Sequence, residues 1–360
     1  MNILYLAMEN ARWVTNLCYE IAEQGHDITC LIQTVDDYNK GIPFKEHKNM
    51  EIISMEYVDF LNIPQFEAKH FSKLKNKKFD IVFGSHSPCS ALVRTLANTF
   101  KIPWGVMLLD IPTDLMHIER FRMKQWLNWF DILKYADTMV FNTFMAKDEY
   151  EKYTHQWFPD DNVITYATNF IPEYKNTGIN IQGDYVISVC RLHPNKNLRI
   201  VPTALSLTKT IKKFMVIGYD NGDGVNVREE CNKHGIEFIH KTNVTDDEKF
   251  KLIRDSAMLI YPQKTPYIGG LSPFEGLYVG KPVIVPDLKV MKDLFLDIPI
   301  YFNNNDPESL ADAISIALER NVDKDIKEFA SMFAEMTASQ SKMAQSLLKI
   351  MDKTIKTYRG

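Results

Sequence analysis

Two kinds of apolar pattern alternate along the chain. Short unbroken runs, Asn2–Ala7, Ile28–Ile32, Phe79–Gly84, Trp104–Leu109 and Thr138–Phe141, have the length and continuity of strands buried on both faces. Between them apolar residues recur three and four apart. Val14, Leu17, Cys18 and Ile21 form one such stripe, closed by Gly25, and Ala91–Thr99 and much of Leu115–Tyr135 form others. These spacings predict helices, with Gly25 as a C-terminal stop. Val163–Ala167 reads as one more strand. Regular alternation of strand and helix predicts a parallel sheet with helices on both faces.

The rhythm breaks at residues 172–183, a polar stretch with Pro172, Asn176, Gly178 and Gly183 that reads as a linker. It then restarts. Strand Tyr185–Val189, helix Leu198–Leu207, strand Phe214–Ile217, helix Val225–His234 and strand Glu237–His240 come first. Helix Asp247–Asp255, strand Met258–Tyr261, a helix around Pro273–Val279 and strand Pro282–Val285 follow. Three more helical stretches close the chain, the last over Ser339–Lys356, where Met343, Leu347, Leu348, Met351 and Ile355 make an apolar stripe. The predicted organisation is α/β: one doubly wound domain over 1–171, a second over 184–338, and a final helix, 339–360, that crosses back to the first. Each doubly wound sheet takes its ligands at the carboxyl ends of its strands, so the loops that follow strands are where chemistry is sought.

Composition narrows the function without changing this picture. With 45% apolar and 24% charged residues the chain is an ordinary globular protein. A net charge of −4, made of −5 over residues 1–170 and +1 over the rest, leaves no broad cationic surface, so nucleic acid is not the favoured partner. Five cysteines, never spaced C-x-x-C, read as buried free thiols in a reducing compartment. The opening apolar stretch is followed at once by Glu9 and Arg12, unlike a secretory leader, and no run approaches the ~18 apolar residues of a membrane span. The expected location is the cytoplasm.

Two post-strand loops carry candidate chemistry. Arg191-Leu192-His193-Pro194-Asn195-Lys196 places two cations at a strand end just before a helix, a combination that suits phosphate oxygens. Pro266-Tyr267-Ile268-Gly269-Gly270-Leu271-Ser272-Pro273-Phe274-Glu275-Gly276 puts two glycines before a helix start, where backbone approaches a ligand closely and N–H groups point at it. Pro273 suits the first turn, and Glu275, placed in that turn, offers a carboxylate to a ribose diol. His86, at the end of Phe79–Gly84, fits a ligand role and a turn-capping role equally. Residues 116–135 combine His117, Arg120, Arg122 and Lys124 with Trp126 and Trp129, a pattern shared by packed core helices and by helices that touch a membrane surface. Asp220-Asn221-Gly222-Asp223-Gly224 has the look of a calcium loop but lacks the remaining ligand spacing, and reads as a Gly-rich turn.

Together these segments resemble the nucleotide-binding domain of retaining sugar-nucleotide glycosyltransferases of the GT-B fold, the family-four, group 1 type that includes mannosyl- and glucosyltransferases. The resemblance is carried by Val189-Cys190-Arg191-Leu192 with Lys196, Val216-Ile217-Gly218, Val244-Thr245-Asp246-Asp247-Glu248, Asp255-Ser256-Ala257-Met258, Glu275-Gly276 ahead of Gly280-Lys281-Pro282-Val283-Ile284, and Asp306-Pro307-Glu308-Ser309-Leu310. The first half is similar to the acceptor domain at Gln24-Gly25-His26-Asp27-Ile28-Thr29, at Tyr135-Ala136-Asp137-Thr138-Met139-Val140 and at Thr168-Asn169-Phe170-Ile171.

The resemblance implies two Rossmann-like domains facing an interdomain cleft and metal-independent transfer, with retention, from a UDP-, GDP- or ADP-linked sugar to a hydroxyl acceptor. No cofactor beyond that donor substrate is implied. It makes Arg191 and Lys196 the diphosphate cations, Glu275 the ribose ligand, and Gly269, Gly270 and Leu271 the backbone contacts of diphosphate and sugar. The chain departs from the family pattern in three places. Tyr267 stands where a glutamate is usual, Asp110 at or next to a histidine position, and Met8-Glu9-Asn10-Ala11-Arg12 where a glycine-rich loop is usual. A tyrosine there is neutral and bulkier than a carboxylate, which points to an unusual donor sugar. A nucleotide-sugar-binding protein without turnover and a nucleotide-sugar epimerase are the competing readings.

Overall fold

The computed structural model describes residues 1–8, 12–33, 45–109, 123–165, 167–176, 183–264, 270–320 and 323–358. The chain divides into two compact units, one of Met1–Tyr166 with Gln340–Gly360 and one of Ala167–Ser339.

In the first unit β1 (Asn2–Ala7), β2 (Asp27–Gln33), β3 (Met50–Met55), β4 (Ile81–Ser85), β5 (Trp104–Leu108) and β6 (Thr138–Phe141) form one parallel sheet in the order β3-β2-β1-β4-β5-β6. β1, β4 and β5 sit inside the sheet and are buried almost throughout, which is why their sequences are continuously apolar. The helices are α1 (Arg12–Glu23), α2 (Tyr57–Leu61), α3 (Ile63–Lys69), α4 (Ser90–Phe100), α5 (Met123–Leu133) and α6 (Phe144–Thr154). In α5, Trp129, Phe130 and Leu133 are buried in the core, so the described part of the expected 115–135 helix is a packed element. Residues 115–122, with its basic start, lie outside the described residues.

The structure differs from the sequence reading in places with clear causes. β3 is an edge strand that buries only Ile53 and Met55, so it lacks the unbroken apolar run that marks the inner strands. Val163–Ala167 is not a strand: Val163 makes a single bridge to Phe141, and Ile164 N–H one bond to its carbonyl, before the chain turns away. α6 mixes charged and apolar side chains around its circumference and starts on a local cap, Thr143 Oγ1 accepting from Ala146 N–H at 3.1 Å.

The second unit repeats the winding. β7 (Val186–Val189), β8 (Lys213–Ile217), β9 (Glu237–Lys241), β10 (Met258–Ile260), β11 (Val283–Pro286) and β12 (Ile300–Phe302) lie parallel in the order β12-β11-β10-β7-β8-β9. Its helices are α7 (Ile200–Thr208), α8 (Gly224–His234), α9 (Asp246–Asp255), α10 (Leu271–Tyr278), α11 (Lys289–Phe295), α12 (Pro307–Arg320) and α13 (Lys324–Thr337). β12, three residues long, escapes the sequence reading because it offers too short a run. Residues 172–176, assigned to a linker in sequence, are packed into this unit. Phe170 stacks on Tyr278 with ring centroids 4.1 Å apart, and Tyr174 Oη donates to Asp247 at 3.1 Å. The unit begins and ends at one place, since Thr168 N–H donates to the Ala338 carbonyl at 3.1 Å and Thr168 bridges Ser339.

The chain then returns to the first unit as α14 (Gln340–Thr357), which packs against α1. Met343, Leu347 and Met351 form its buried stripe. Leu347 is fully buried, so Leu347→Ala is expected to destabilise the first unit by about 2–5 kcal/mol. Urea unfolding followed by tryptophan fluorescence reads this: every tryptophan of the chain lies in residues 1–166.

Candidate active site

In a sheet wound this way, the two central strands send their following connections in opposite directions, and the gap between those connections is the natural ligand site. In the second unit the central pair is β7 and β10, joined through Met258 with Val186 and Leu259 with Ile187. The two loops singled out in sequence leave these neighbouring strands. They are tied together where Lys264 N–H donates to the Asn195 carbonyl at 2.9 Å.

The loop after β7 is held from both ends. Cys190 N–H donates to Ile217 O at 3.0 Å, Leu192 N–H to Tyr219 O at 2.7 Å, and Asn221 N–H to Leu192 O at 2.9 Å. Gly218 makes this possible: at φ +151° a Cβ there would fall 2.2 Å from the Cys190 carbonyl oxygen. His193 Nδ1 accepts from Asn195 N–H at 3.2 Å and opens the tight turn Pro194–Lys196. Arg191 is exposed, with no ion pair among the described residues. The fields of Arg191 and Lys196 converge. Burial first, then both cations, push the His193 imidazole below its usual range. Burial lifts the Cys190 thiol to about 11 against the pull of the same two cations.

Lys196 is half-buried, and its Nζ donates to Tyr261 Oη at 3.0 Å and to Gln263 Oε1 at 2.6 Å. Tyr261 ends β10's apolar run and lies against the start of α10, where Gly270 is the N-cap residue. A Cβ at Gly270 would be 2.5 Å from Tyr261 Oη. Gly270 itself offers no capping side chain, and the hydroxyl of Ser272, buried in the first turn, has no hydrogen-bond partner among the described residues. Gly270 and Leu271 are part-exposed here. The result is a lysine ammonium close to an uncapped helix N-terminus, a pairing that favours an anion.

Glu275 is not where the sequence put it. α10 begins at Leu271, so the residue falls in the second turn, 3% exposed. Its Oε1 accepts from Thr168 Oγ1 at 2.8 Å and from Lys249 Nζ at 2.7 Å. Lys249 Nζ also pairs with Asp246 Oδ1 at 3.0 Å. Burial opposes the Lys249 charge, but Glu275 and Asp246 outweigh it and hold the ammonium above its usual range. Among the described residues both contacts of Glu275 use Oε1. Thr168 and Lys249 escaped the sequence reading: each bears on Glu275 only through folding, and neither lies in a post-strand loop.

His86 ends β4 in the first unit, at a left-handed φ of 72°, rare for a residue with a side chain. Its N–H donates to Met107 O at 2.9 Å, and its carbonyl accepts from Cys89 Sγ at 3.0 Å, so its backbone shapes the turn into α4. Asp110, Tyr267 and Gly269 lie outside the described residues. In the Asp220–Gly224 turn, Asp220 Oδ1 accepts from the N–H groups of Gly222, Asp223 and Gly224, and Asp223 pairs with Arg199. These carboxylates serve the turn itself. Among the described residues no helix is long and apolar enough to cross a membrane.

Residues 170–335 match the model of the family described as glycosyl transferases group 1. The match spans nearly all of the second unit, and both units together have the GT-B fold. Sucrose-phosphate synthase from Thermosynechococcus elongatus superposes with a TM-score of 0.81 at 12% identity, over 99% of this chain and 100% of that one. HepE from Anabaena, solved in complex with UDP-glucose, gives 0.78 at 14% identity over 98% and 100%. A glycosyltransferase from Rickettsia africae gives 0.69 at 17% over 99% of both. No curated protein matches the sequence. The group 1 resemblance read from the sequence is thus borne out.

The Lys249 cluster yields a stability prediction. Lys249→Met removes the ammonium from the buried Glu275 carboxylate and from the part-exposed Asp246, and is expected to cost about 3 kcal/mol. Adding Glu275→Gln should recover part of that loss in urea unfolding. Because the folded-state pKa of Lys249 is raised, its contribution is complete below the ordinary lysine value of 10.5 and is lost as pH climbs through the raised value. Lys249→Met should therefore flatten the alkaline limb of the stability–pH curve.

Proposed function

We propose that this protein is a retaining, metal-independent glycosyltransferase that moves a sugar from a nucleoside-diphosphate donor to a hydroxyl acceptor. The observation that carries the reading is the Lys196 ammonium beside the uncapped start of α10, between the diverging connections of β7 and β10. Structural neighbours support the donor class, since HepE has been solved in complex with UDP and with UDP-glucose.

In the proposed reaction the acceptor oxygen attacks the anomeric carbon on the face from which the diphosphate departs. The bond from that carbon to the phosphate oxygen breaks as the new glycosidic bond forms, and the acceptor proton passes to a phosphate oxygen. Arg191, Lys196 and the α10 N–H groups offset the charge that accumulates on the leaving diphosphate. Gly270 lets backbone approach the donor, and Glu275 Oε2 is assigned to the ribose. Tyr267 is proposed to select the sugar, and Asp110 and His86 to serve the acceptor side.

Incubation with UDP-, GDP- and ADP-sugars and a panel of hydroxyl acceptors, with mass analysis of products, tests this. Transfer with nucleotide release is expected. Binding without release supports a non-catalytic sugar-nucleotide binder, and an isomerised donor an epimerase. Arg191→Ala and Lys196→Ala should each slow transfer by roughly 100-fold or more, the usual loss for one donor to a charge developing in the transition state. Wild-type rates in both would remove the assignment.

A further inference from the structure

Two partly buried lysines of the second unit are handled in opposite ways. Lys249 is neutralised by Glu275 and Asp246. Lys196 is held by two neutral oxygens, Tyr261 Oη at 3.0 Å and Gln263 Oε1 at 2.6 Å. Those oxygens are themselves fixed. The Tyr261 hydroxyl donates to the same Gln263 oxygen at 2.6 Å, Tyr261 is 2% exposed and Gln263 1%. The ammonium meets Tyr261 at its hydroxyl edge, 5.2 Å from the ring centroid. The same hydroxyl abuts Gly270 at the start of α10, so it references the lysine to the helix N-terminus.

The chemistry of this arrangement is specific. A lysine is a point charge on a four-carbon stem, and holding it in one place costs rotamer entropy. A carboxylate would hold it firmly but would spend its charge. Neutral acceptors hold it and leave the full positive charge for an incoming anion. An ammonium has three N–H donors. Among the described residues two are used here, and the third is the one offered to a phosphate oxygen.

We infer that Tyr261 and Gln263 are positioning residues, a neutral clamp that holds the Lys196 ammonium, its charge uncompensated, at the α10 N-terminus to receive the diphosphate of a nucleoside-diphosphate donor. The inference rests on the donor reading given above. The clamp acts through Lys196 and touches no reacting atom.

Gln263→Glu separates this role from a structural one. The substitution keeps shape and adds a carboxylate against Lys196. If Gln263 only braced the fold, the new ion pair would leave ligand binding unchanged. If it keeps the lysine charge available, the carboxylate will cancel that charge and weaken anion binding while thermal stability is held or raised. The probes are UDP, GDP and ADP, each against its own nucleoside, by calorimetry on the full chain. For the diphosphate that binds the wild type, Gln263→Glu is expected to weaken binding by about tenfold or more, the scale of one charge-assisted contact, with the nucleoside within about twofold of wild type. Tyr261→Phe, which keeps the ring and removes the hydroxyl, should weaken the diphosphate by about threefold to tenfold in the same selective way. Wild-type diphosphate affinity in both variants overturns the clamp, as does an equal loss for nucleoside and diphosphate. Lys196→Ala distinguishes the two levels of argument. If it too binds the diphosphate as the wild type does, or if the wild type binds none of the three, the donor reading fails. If Lys196→Ala loses the diphosphate while Gln263→Glu and Tyr261→Phe keep it, only the clamp fails.

Discussion

The second unit turns on one constraint: β7 and β10 are hydrogen-bonded neighbours in a parallel sheet, yet the chain leaves them toward opposite sides. Parallel strands all deliver their carboxyl ends to one edge, and each connection must cross a face to start the next strand. Where the direction of winding reverses, no crossover covers the edge. The loop of Arg191 and Lys196 and the loop that leads into α10 therefore stand side by side, although some 70 residues separate them in sequence. Gly218 lets the first loop lie against β8, and Gly270 lets the second meet Tyr261. Everything polar at this edge depends on those two close approaches.

Charge is distributed there with a clear division of labour. The interior lysine that holds elements together, Lys249, joins α9 to α10 through two carboxylates, with Thr168 bonded to the same Glu275 oxygen. Among the described residues, the lysine at the open edge has only uncharged acceptors as partners. Burial makes the first arrangement strong and brittle, because removing one partner strands the others in a low dielectric. The second keeps its charge for the open edge, where burial first and then Arg191 and Lys196 hold the neighbouring His193 imidazole below its usual range.

Much of this was legible in the sequence, for physical reasons. Inner strands such as Asn2–Ala7 and Met258–Ile260 announce themselves because both faces are buried, and the Arg191/Lys196 loop because it follows one of them. Edge elements were not legible: β3 buries one side only, and β12 is too short to register. Glu275 was found by type and spacing, but its partners were not, since Lys249 comes from a different helix and Thr168 from a segment more than a hundred residues earlier. Tyr261 and Gln263 were invisible for a related reason. A buried tyrosine at the end of an apolar strand looks like core until its hydroxyl is seen to carry a lysine.

The bond from Thr168 to Ala338 brings the two ends of the second unit to one point, with α14 beginning immediately after it. Topologically, the second unit is an insertion within the first. On the ribosome this reverses the order in which the units can be completed. The first six strands emerge early but lack the helix that covers α1, which is made last. The inserted unit, by contrast, has its whole sheet and all of its helices once Ser339 has cleared the exit tunnel. A nascent chain thus finishes its second unit first, and the apolar face of α1 waits through the synthesis of the 316 residues between Glu23 and Gln340 before its partner arrives.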